Sequence, residues 1–258
     1  MLLAIDIGNS NIVIGAIKNG EISFISRLET NHNRLEDEYA TYILGILQLY
    51  GVDKADFEGA IISSVVPPLS AVLSHATEKL IGKPPLVLGP GVKTGLNIRT
   101  DNPSQLGSDI VANNVAALTT YGGPVIVIDM GTATTISVSD EDSTFIGCAI
   151  MPGITTSLNA LTKKAALLQE ISFEAPKSAI GTNTPDCMRS GVILGAASMV
   201  DGMVERFLAE LGKPAKVIAT GGHSKYVVPH CKSDIIYDPN LLLTGLYTIY
   251  KKNVSEGK

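Results

Sequence analysis

Val125-Ile-Val-Ile-Asp129-Met-Gly131-Thr132-Ala-Thr134-Thr135-Ile-Ser137 decides the fold, because the chain opens on the same pattern at Leu3-Ala-Ile-Asp6-Ile-Gly8-Asn9-Ser10-Asn11-Ile-Val-Ile-Gly15. Each stretch is an apolar strand ending in Asp-x-Gly, a small polar turn, and a second apolar strand. Glycine lets a backbone come close to a ligand, and the N–H and hydroxyl groups that follow are donors suited to an anion. An Asp at the strand end can hold a cation, or water bound to one, beside that anion. Two such hairpins facing each other would clamp a polyphosphate with its metal, which predicts two like domains with a cleft between them. Taken singly, each hairpin also reads as a tight turn whose Asp bonds its own backbone.

Composition agrees with two ordinary domains. At 258 residues, with 45% hydrophobic and 17% charged side chains, the chain can bury a large core. A net charge of −5 without a basic tract argues against nucleic acid as partner. The three cysteines, Cys148, Cys187 and Cys231, form no CxxC and have no histidine at ligand spacing. Cys148 and Cys187 fall in apolar or helical patterns and read as buried thiols. Met1 runs straight into an apolar strand with no basic leader, and no window of about 18 residues is free of polar groups. A reducing, cytoplasmic setting away from membranes is expected.

The first half reads as strands Leu2–Ile7, Ile12–Lys18 and Glu21–Leu28, with Asn19-Gly20 as a hairpin turn. Helix Leu35–Tyr50, strand Ala60–Val66, a Pro67-started helix to Leu80 and strand Leu86–Leu88 follow. Thr94–Asp101 reads as a polar connection and Pro103 as the start of a long helix to Leu118. Tyr121-Gly-Gly-Pro124 separates domains 1–121 and 122–258. The second half repeats the order with strands Val125–Asp129, Thr134–Val138 and Thr144–Met151. Helices Ile154–Leu168 and Pro185–Leu211, strand Lys216–Ala219 and a helix near Asn240–Tyr250 complete it. The polar end, Asn253–Lys258, is expected to fray.

Strand-strand-strand-helix-strand-helix, twice, resembles the actin, sugar-kinase and Hsp70 superfamily of phosphotransferases. The fold expected is therefore α/β, with two duplicated ribonuclease H-like (actin-like ATPase) domains, each a mixed five-stranded sheet flanked by helices. In that superfamily the two hairpins bracket ATP phosphates, and a glycine-rich turn after a late strand approaches the adenosine. Val217-Ile-Ala-Thr220-Gly221-Gly222 matches the third element. Asp6-x-Gly8-Asn9-Ser10, Asp101-Asn102-Pro103 followed by Gly107-Ser108-Asp109, Asp129-x-Gly131-Thr132-Ala133-Thr134, Pro152-Gly153 and Gly181-Thr182-Asn183-Thr184 together resemble type III pantothenate kinase over nearly the whole chain.

The resemblance implies phosphorylation of the primary hydroxyl of pantothenate by Mg-ATP, the first committed step of coenzyme A synthesis. It also implies a homodimer that requires potassium or ammonium. It makes Asp109 the general base; as a helix residue alone, Asp109 would only offset the helix dipole. Placed about two turns into the expected helix, Asp109 would accept the hydroxyl proton. Asp6 handles magnesium-bound phosphates, directly or through water. Ile7, Gly8, Asn9, Ser10 and Asn11, with Gly131 and Thr132, are the implied ATP contacts. Asp129 matches the monovalent-cation ligand. Thr100, Gly107, Ser108, Ile110 and Thr184 fall on the substrate side, although Thr184 also reads as a helix N-cap.

Two positions depart from the family pattern. Ile110 stands where an Arg is common, and Thr100 where a Tyr is common, so weaker pantothenate binding is expected; Arg99 is a candidate for the missing charge. His32, His75 and His230 read as surface residues, and His223, in the glycine-rich turn, as a solvent-exposed loop histidine, with stacking near adenine as the alternative. A related kinase with a drifted substrate, and a nucleotide-binding regulator without turnover, are the alternatives.

Overall fold

The computed structural model describes residues 1–165 and 167–254. They form two compact units. The first holds Met1–Leu96, Asp101–Ala116 and the chain from Leu241 on; the second holds Asn97–Thr100 and Ala117–Asn240.

The first unit is built on β1 (Leu2–Ile7), β2 (Asn11–Lys18) and β3 (Glu21–Glu29), three successive antiparallel strands. The turn between β2 and β3 is the expected one, because Asn19 (φ 53°) and Gly20 (φ 88°) both take the left-handed conformation that such a hairpin requires. Helix α1 (Glu36–Leu49) leads to β4 (Gly59–Ser64), which lies parallel to β1. Helix α2 (Pro67–Ile81) and β5 (Leu86–Val87) finish a sheet of order β3-β2-β1-β4-β5. Every residue of β1 is buried, as a strand covered on both faces must be. Leu3, Ile5 and Ile7 pack with Tyr39, Ile43 and Leu47 of α1 and with Leu69 and Leu73 of α2. Each such side chain contributes about 1.5–3 kcal/mol by leaving water.

Beyond β5, Asn97–Ile98 is a short strand, β6, rather than part of a polar connection. A 3₁₀ turn, Pro103–Gln105, precedes α3 (Ser108–Tyr121), so the single helix expected from Pro103 is two pieces. The second unit then repeats the first: β7 (Val125–Met130), β8 (Ala133–Ser139) and β9 (Thr144–Pro152) are antiparallel neighbours. Helices α4 (Ile154–Lys164), α5 (Thr184–Arg189) and α6 (Gly195–Leu211) follow, the last two joined by a π-helical turn, Ser190–Leu194. Strand β10 (Lys216–Thr220) lies parallel to β7, and α7 (Ser224–Val227) leads to β11 (Ile235–Tyr237).

The second sheet has six strands, in the order β11-β10-β7-β8-β9-β6, where five were expected. The extra strand is β6. Asn97 N donates to Ser143 O at 2.9 Å and Arg99 N to Phe145 O at 3.0 Å, so this polar segment gains ladder bonds along β9. Ile126, Ile128 and Met130 pack with Ala197, Val200 and Val204 of α6 and with Ile154 and Leu158 of α4.

The closing helix, α8 (Leu241–Val254), packs on β1 and β4 in the first unit. A boundary at 121/122 would assign it to the second half. Leu243 stands where a side chain at Gly15 would project, since a Cβ there would meet Leu243 Cδ1 at 2.7 Å. Of the tail expected to fray, Asn253 and Val254 are the last helical residues, and 255–258 lie outside the described residues; so does Ala166, in the helix expected to run to Leu168.

Candidate active site

In the first unit, the parallel strands β1 and β4 carry polar residues at neighbouring C-terminal positions. Asp6 is in register with Ser63, and Ile7 with Ser64. The carboxyl ends of parallel strands are where α/β sheets bind ligands. Asp6 is 9% exposed. The turn that follows is held from behind: Gly8 N donates to Asn11 O at 3.0 Å, Thr30 N to Ser10 O at 3.1 Å and Thr30 Oγ1 to Gly8 O at 2.7 Å. Those bonds fix the carbonyls of the turn while the side chains of Asn9, Ser10 and Asn11 stay exposed. Ile7 differs from them. Its side chain is fully buried and its carbonyl accepts from Val65 N, so it shapes the turn from within the core.

Ser108 joins this strand end to α3. Its hydroxyl accepts from Ser64 N at 2.9 Å, donates to Ser64 O at 3.0 Å and lies 2.9 Å from Ser63 Oγ. With both hydrogen-bonding roles committed to β4, Ser108 positions its neighbour. That neighbour, Asp109, lies in the first turn of α3, not two turns in, because the helix starts at Ser108. Its Oδ1 accepts from Ile110 N at 2.8 Å. Gly107 permits this, since a Cβ there would stand 2.4 Å from the same oxygen. Burial raises the Asp109 pKa above the ordinary 3.8, while the backbone N–H groups of Ile110 and Asp109 pull the other way. Ile110 is buried, 9% exposed, and its carbonyl accepts from Asn114 Nδ2 at 2.9 Å.

In the second unit, β7 and β10 place Asp129 beside Thr220. Gly131 N donates to Ala133 O at 2.9 Å, closing the turn, and Thr132 is exposed at its tip. Gly153 N and Thr156 Oγ1 both donate to Thr132 O, at 3.1 and 2.7 Å. Gly221 (φ 92°) folds against the turn; a Cβ there would meet Asp129 Oδ1 at 2.5 Å. His223 lies in the turn as expected but is half-buried rather than solvent-exposed, and its Nε2 shares a hydrogen bond with Thr155 Oγ1 at 3.0 Å. Thr184 is exposed at the first position of α5, and the cap is Asn183, whose Oδ1 accepts from Asp186 N at 3.0 Å. Thr100, in the second unit, keeps its Oγ1 buried with no hydrogen-bond partner among the described residues. Cys148 and Cys187 are exposed, against expectation. Cys148 lies on the outward-facing register of β9 with Ile146 and Ile150, and Cys187 directs Sγ to Gly181 O at 3.3 Å.

Both units thus carry an Asp at the end of a buried strand, a glycine turn, and an adjoining parallel strand. A family model of type III pantothenate kinases matches residues 2–206. A type III pantothenate kinase from Halalkalibacterium halodurans is 42% identical over 254 residues, covering 98% of this chain and 100% of that relative. The chain belongs to the type III pantothenate kinase family. Among solved structures, a Campylobacter jejuni protein assigned to the Baf family of transcriptional activators is 22% identical, with a TM-score of 0.62, covering 98% of this chain and 99% of that one. Component A of (R)-2-hydroxyglutaryl-CoA dehydratase from Acidaminococcus fermentans is 14% identical, with a TM-score of 0.57, covering 99% and 98%. Likenesses this distant carry the fold alone, and they agree with a doubled ribonuclease H-like plan.

Seen as a type III pantothenate kinase, the chain also carries residues that its motifs do not single out. Thr30 and Thr156 brace the two turns directly, Ser63 bonds Ser108 and Thr155 bonds His223, all through hydrogen bonds formed only in the folded chain. Among the described residues no group of three or more His, Cys, Asp or Glu could hold a metal ion. Among the described residues no helix is long and apolar enough to cross a membrane.

Proposed function

We propose that this protein transfers the γ-phosphoryl group of Mg-ATP to the primary hydroxyl of pantothenate, opening coenzyme A synthesis in the cytoplasm. The observation that carries this reading is Asp109, a half-buried carboxylate with a raised pKa, anchored at a strand end in register with Asp6. Burial makes it a stronger base than a surface carboxylate, and Gly107 and Ile110 N hold it in one orientation.

In this mechanism the exposed Asn9, Ser10 and Asn11 donate to phosphate oxygens, as does Thr132 in the second turn, while Gly131, without a side chain, lets the phosphates come close to the backbone. Asp6 would hold magnesium together with the phosphates, and the ion would supply positive charge that offsets the charge of the transferring group. Asp109 takes the hydroxyl proton as the oxygen attacks phosphorus, and ADP leaves. Asp129 would hold a monovalent cation, potassium or ammonium. Gly107, Thr100 and Thr184 lie on the pantothenate side, Ser108 acts by orienting Asp109, and Ile110 contributes an apolar wall. Phosphoryl transfer of this kind depends on positioning and electrostatics rather than on covalent chemistry by the protein.

A drifted substrate is the second reading, favoured by Ile110, which is buried where relatives commonly carry Arg. ADP release measured with and without pantothenate separates the readings. Release that depends on pantothenate supports the first. Release only with other small alcohols supports the second, and no release with any acceptor supports a regulator without turnover.

We further propose a homodimer. Its support is an apolar groove of 880 Å³ in the second unit, walled by Ile154, Leu161, Met188, Val192 and Met199, with Thr184 at its edge.

A further inference from the structure

The second hairpin turn is gripped by two segments, and one histidine links them. The first segment is the glycine-rich turn after β10. Gly221 stacks on the strand end so closely that a Cβ would meet Asp129 Oδ1 at 2.5 Å and Met130 N and O at 2.6 Å. Two residues on, His223 N donates to Met130 O at 3.2 Å. The second segment is the end of β9 with the first turn of α4, where Gly153 N and Thr156 Oγ1 both bond Thr132 O. Gly153 is confined there, because a Cβ would stand 2.4 Å from Gly131 O and 2.5 Å from Thr132 O.

Among the described residues, the link between the two segments across this turn is one between side chains. His223 Nε2 and Thr155 Oγ1 lie 3.0 Å apart. The Phe173 ring, 5.7 Å from the imidazole between centroids, packs near it. Burial lowers the His223 pKa below 6.5, with a small push from Lys225, while the nearby carbonyls of Gly131 and Met130 favour the charged ring. Those carbonyls lie outside hydrogen-bonding geometry with Nδ1, which has no partner among the described residues. A neutral ring is therefore available to Thr155 at neutral pH.

We propose that His223 is a positioning residue for the nucleotide: through Thr155 it closes the glycine-rich turn and the start of α4 into one clamp, which holds Gly131-Thr132 in the geometry that receives ATP. The inference rests on the kinase reading of this hairpin. A turn gripped by two independent segments can shift with either; once they are joined, it shifts only if both do. Loss of the link leaves the Gly153 and Thr156 bonds in place, so the fold persists and the turn loosens. The cost should fall on ATP, whose phosphates this turn would receive, and not on pantothenate.

The test compares His223→Ala, His223→Gln, Thr155→Val and the Ala/Val double variant. Mg-ATP affinity is measured by calorimetry, and KM for ATP and for pantothenate by turnover. Gln is included because its amide reaches about as far as Nε2. The two single truncations should each weaken Mg-ATP binding by about three- to tenfold, the span of one net hydrogen bond. The double variant should be no worse than either, since both remove the same link. His223→Gln should restore most of the affinity, and KM for pantothenate should stay at the wild-type value throughout. Unchanged ATP affinity, additive losses, or equal rises in both KM values would overturn the proposal. Should His223→Ala fail to fold, the nearly isosteric Thr155→Val decides alone. Wild-type protein that binds Mg-ATP but leaves pantothenate unphosphorylated sinks the kinase reading, while ATP affinity still decides His223. Wild-type protein that binds no Mg-ATP sinks both.

Discussion

On the proposed mechanism Asp109 is both a stable part of the fold and a reactive base, and the two demands conflict. Its folded pKa is raised by burial, so folding favours the protonated form. Stability from this group is full below pH 3.8 and is lost as pH rises through the folded pKa. At neutral pH the ionised carboxylate is therefore a cost that the fold carries. Asn keeps an oxygen to accept from Ile110 N and carries no charge. Asp109→Asn should cut turnover by about 10²-fold or more while raising the melting temperature at pH 7, with nucleotide affinity unchanged. The gain in stability should shrink to nothing in melts below pH 3.8. Near-normal turnover would remove Asp109 from its role. Next to it, Ile110 shows why restoring a family pattern is not simple grafting. Its side chain is buried, so Ile110→Arg takes a charge out of water. Urea titration should show a loss of about 2–4 kcal/mol. If the Arg variant is as stable as wild type and binds pantothenate more tightly, the family's usual arrangement is accessible here after all.

At the scale of elements, the hairpins were legible because their signal is local. Apolar alternation, Asp-x-Gly and Asn19-Gly20 each determine a few residues of backbone, and β1–β3 and β7–β9 fall within a residue or two of the expected bounds. The start of α3 was not legible. Pro103 is a fair helix opener, but Leu106 is extended, and the helix begins where Ser108 is tied to β4. That tie joins residues 45 apart in sequence, and no local pattern contains it. Strand β6 was missed for the same reason, as its ladder partners come from β9. The Asp-x-Gly half of each hairpin is likewise visible and its bracing is not: Asp129 and Gly131 stand out in the sequence, Thr155 and His223 do not. Because the second hairpin repeats the first but ends in a half-buried Asp beside Gly221, its ion is expected to act by charge and size rather than through a full protein cage. Activity should rise steeply when potassium or ammonium replaces sodium, and Asp129→Ala should abolish that response. Equal rates in sodium and potassium would exclude the ion role.

For the whole molecule, the doubled plan is uneven in what it leaves uncovered. In the first unit α8 returns to pack on β1 and β4, and both faces of the central strand are closed. In the second, α6 buries Ala197, Val200 and Val204 against the sheet, yet Gly195, Ala196 and Met199 of the same helix wall the groove. A helix apolar on more than one side calls for partners on more than one side. The sequence shows that surplus in Val192, Ala196, Met199 and Met203, though not which residues face inward, because the π-turn at Ser190–Leu194 shifts the helical register at the groove. A second copy of the chain is a suitable occupant, since a two-fold dimer needs only one self-complementary patch, and a stable one buries on the order of 1,200–2,000 Å² in total. Sedimentation at micromolar concentration should give twice the chain mass. Leu161 is 44% exposed, and Leu161→Asp places a charge in the groove at little cost to the folded subunit. That variant should sediment as a monomer with an unchanged thermal melt at high dilution, where wild type has dissociated as well. Wild-type protein that is monomeric at micromolar concentration would refute the dimer. A Leu161→Asp variant that remains dimeric would move the interface to another surface.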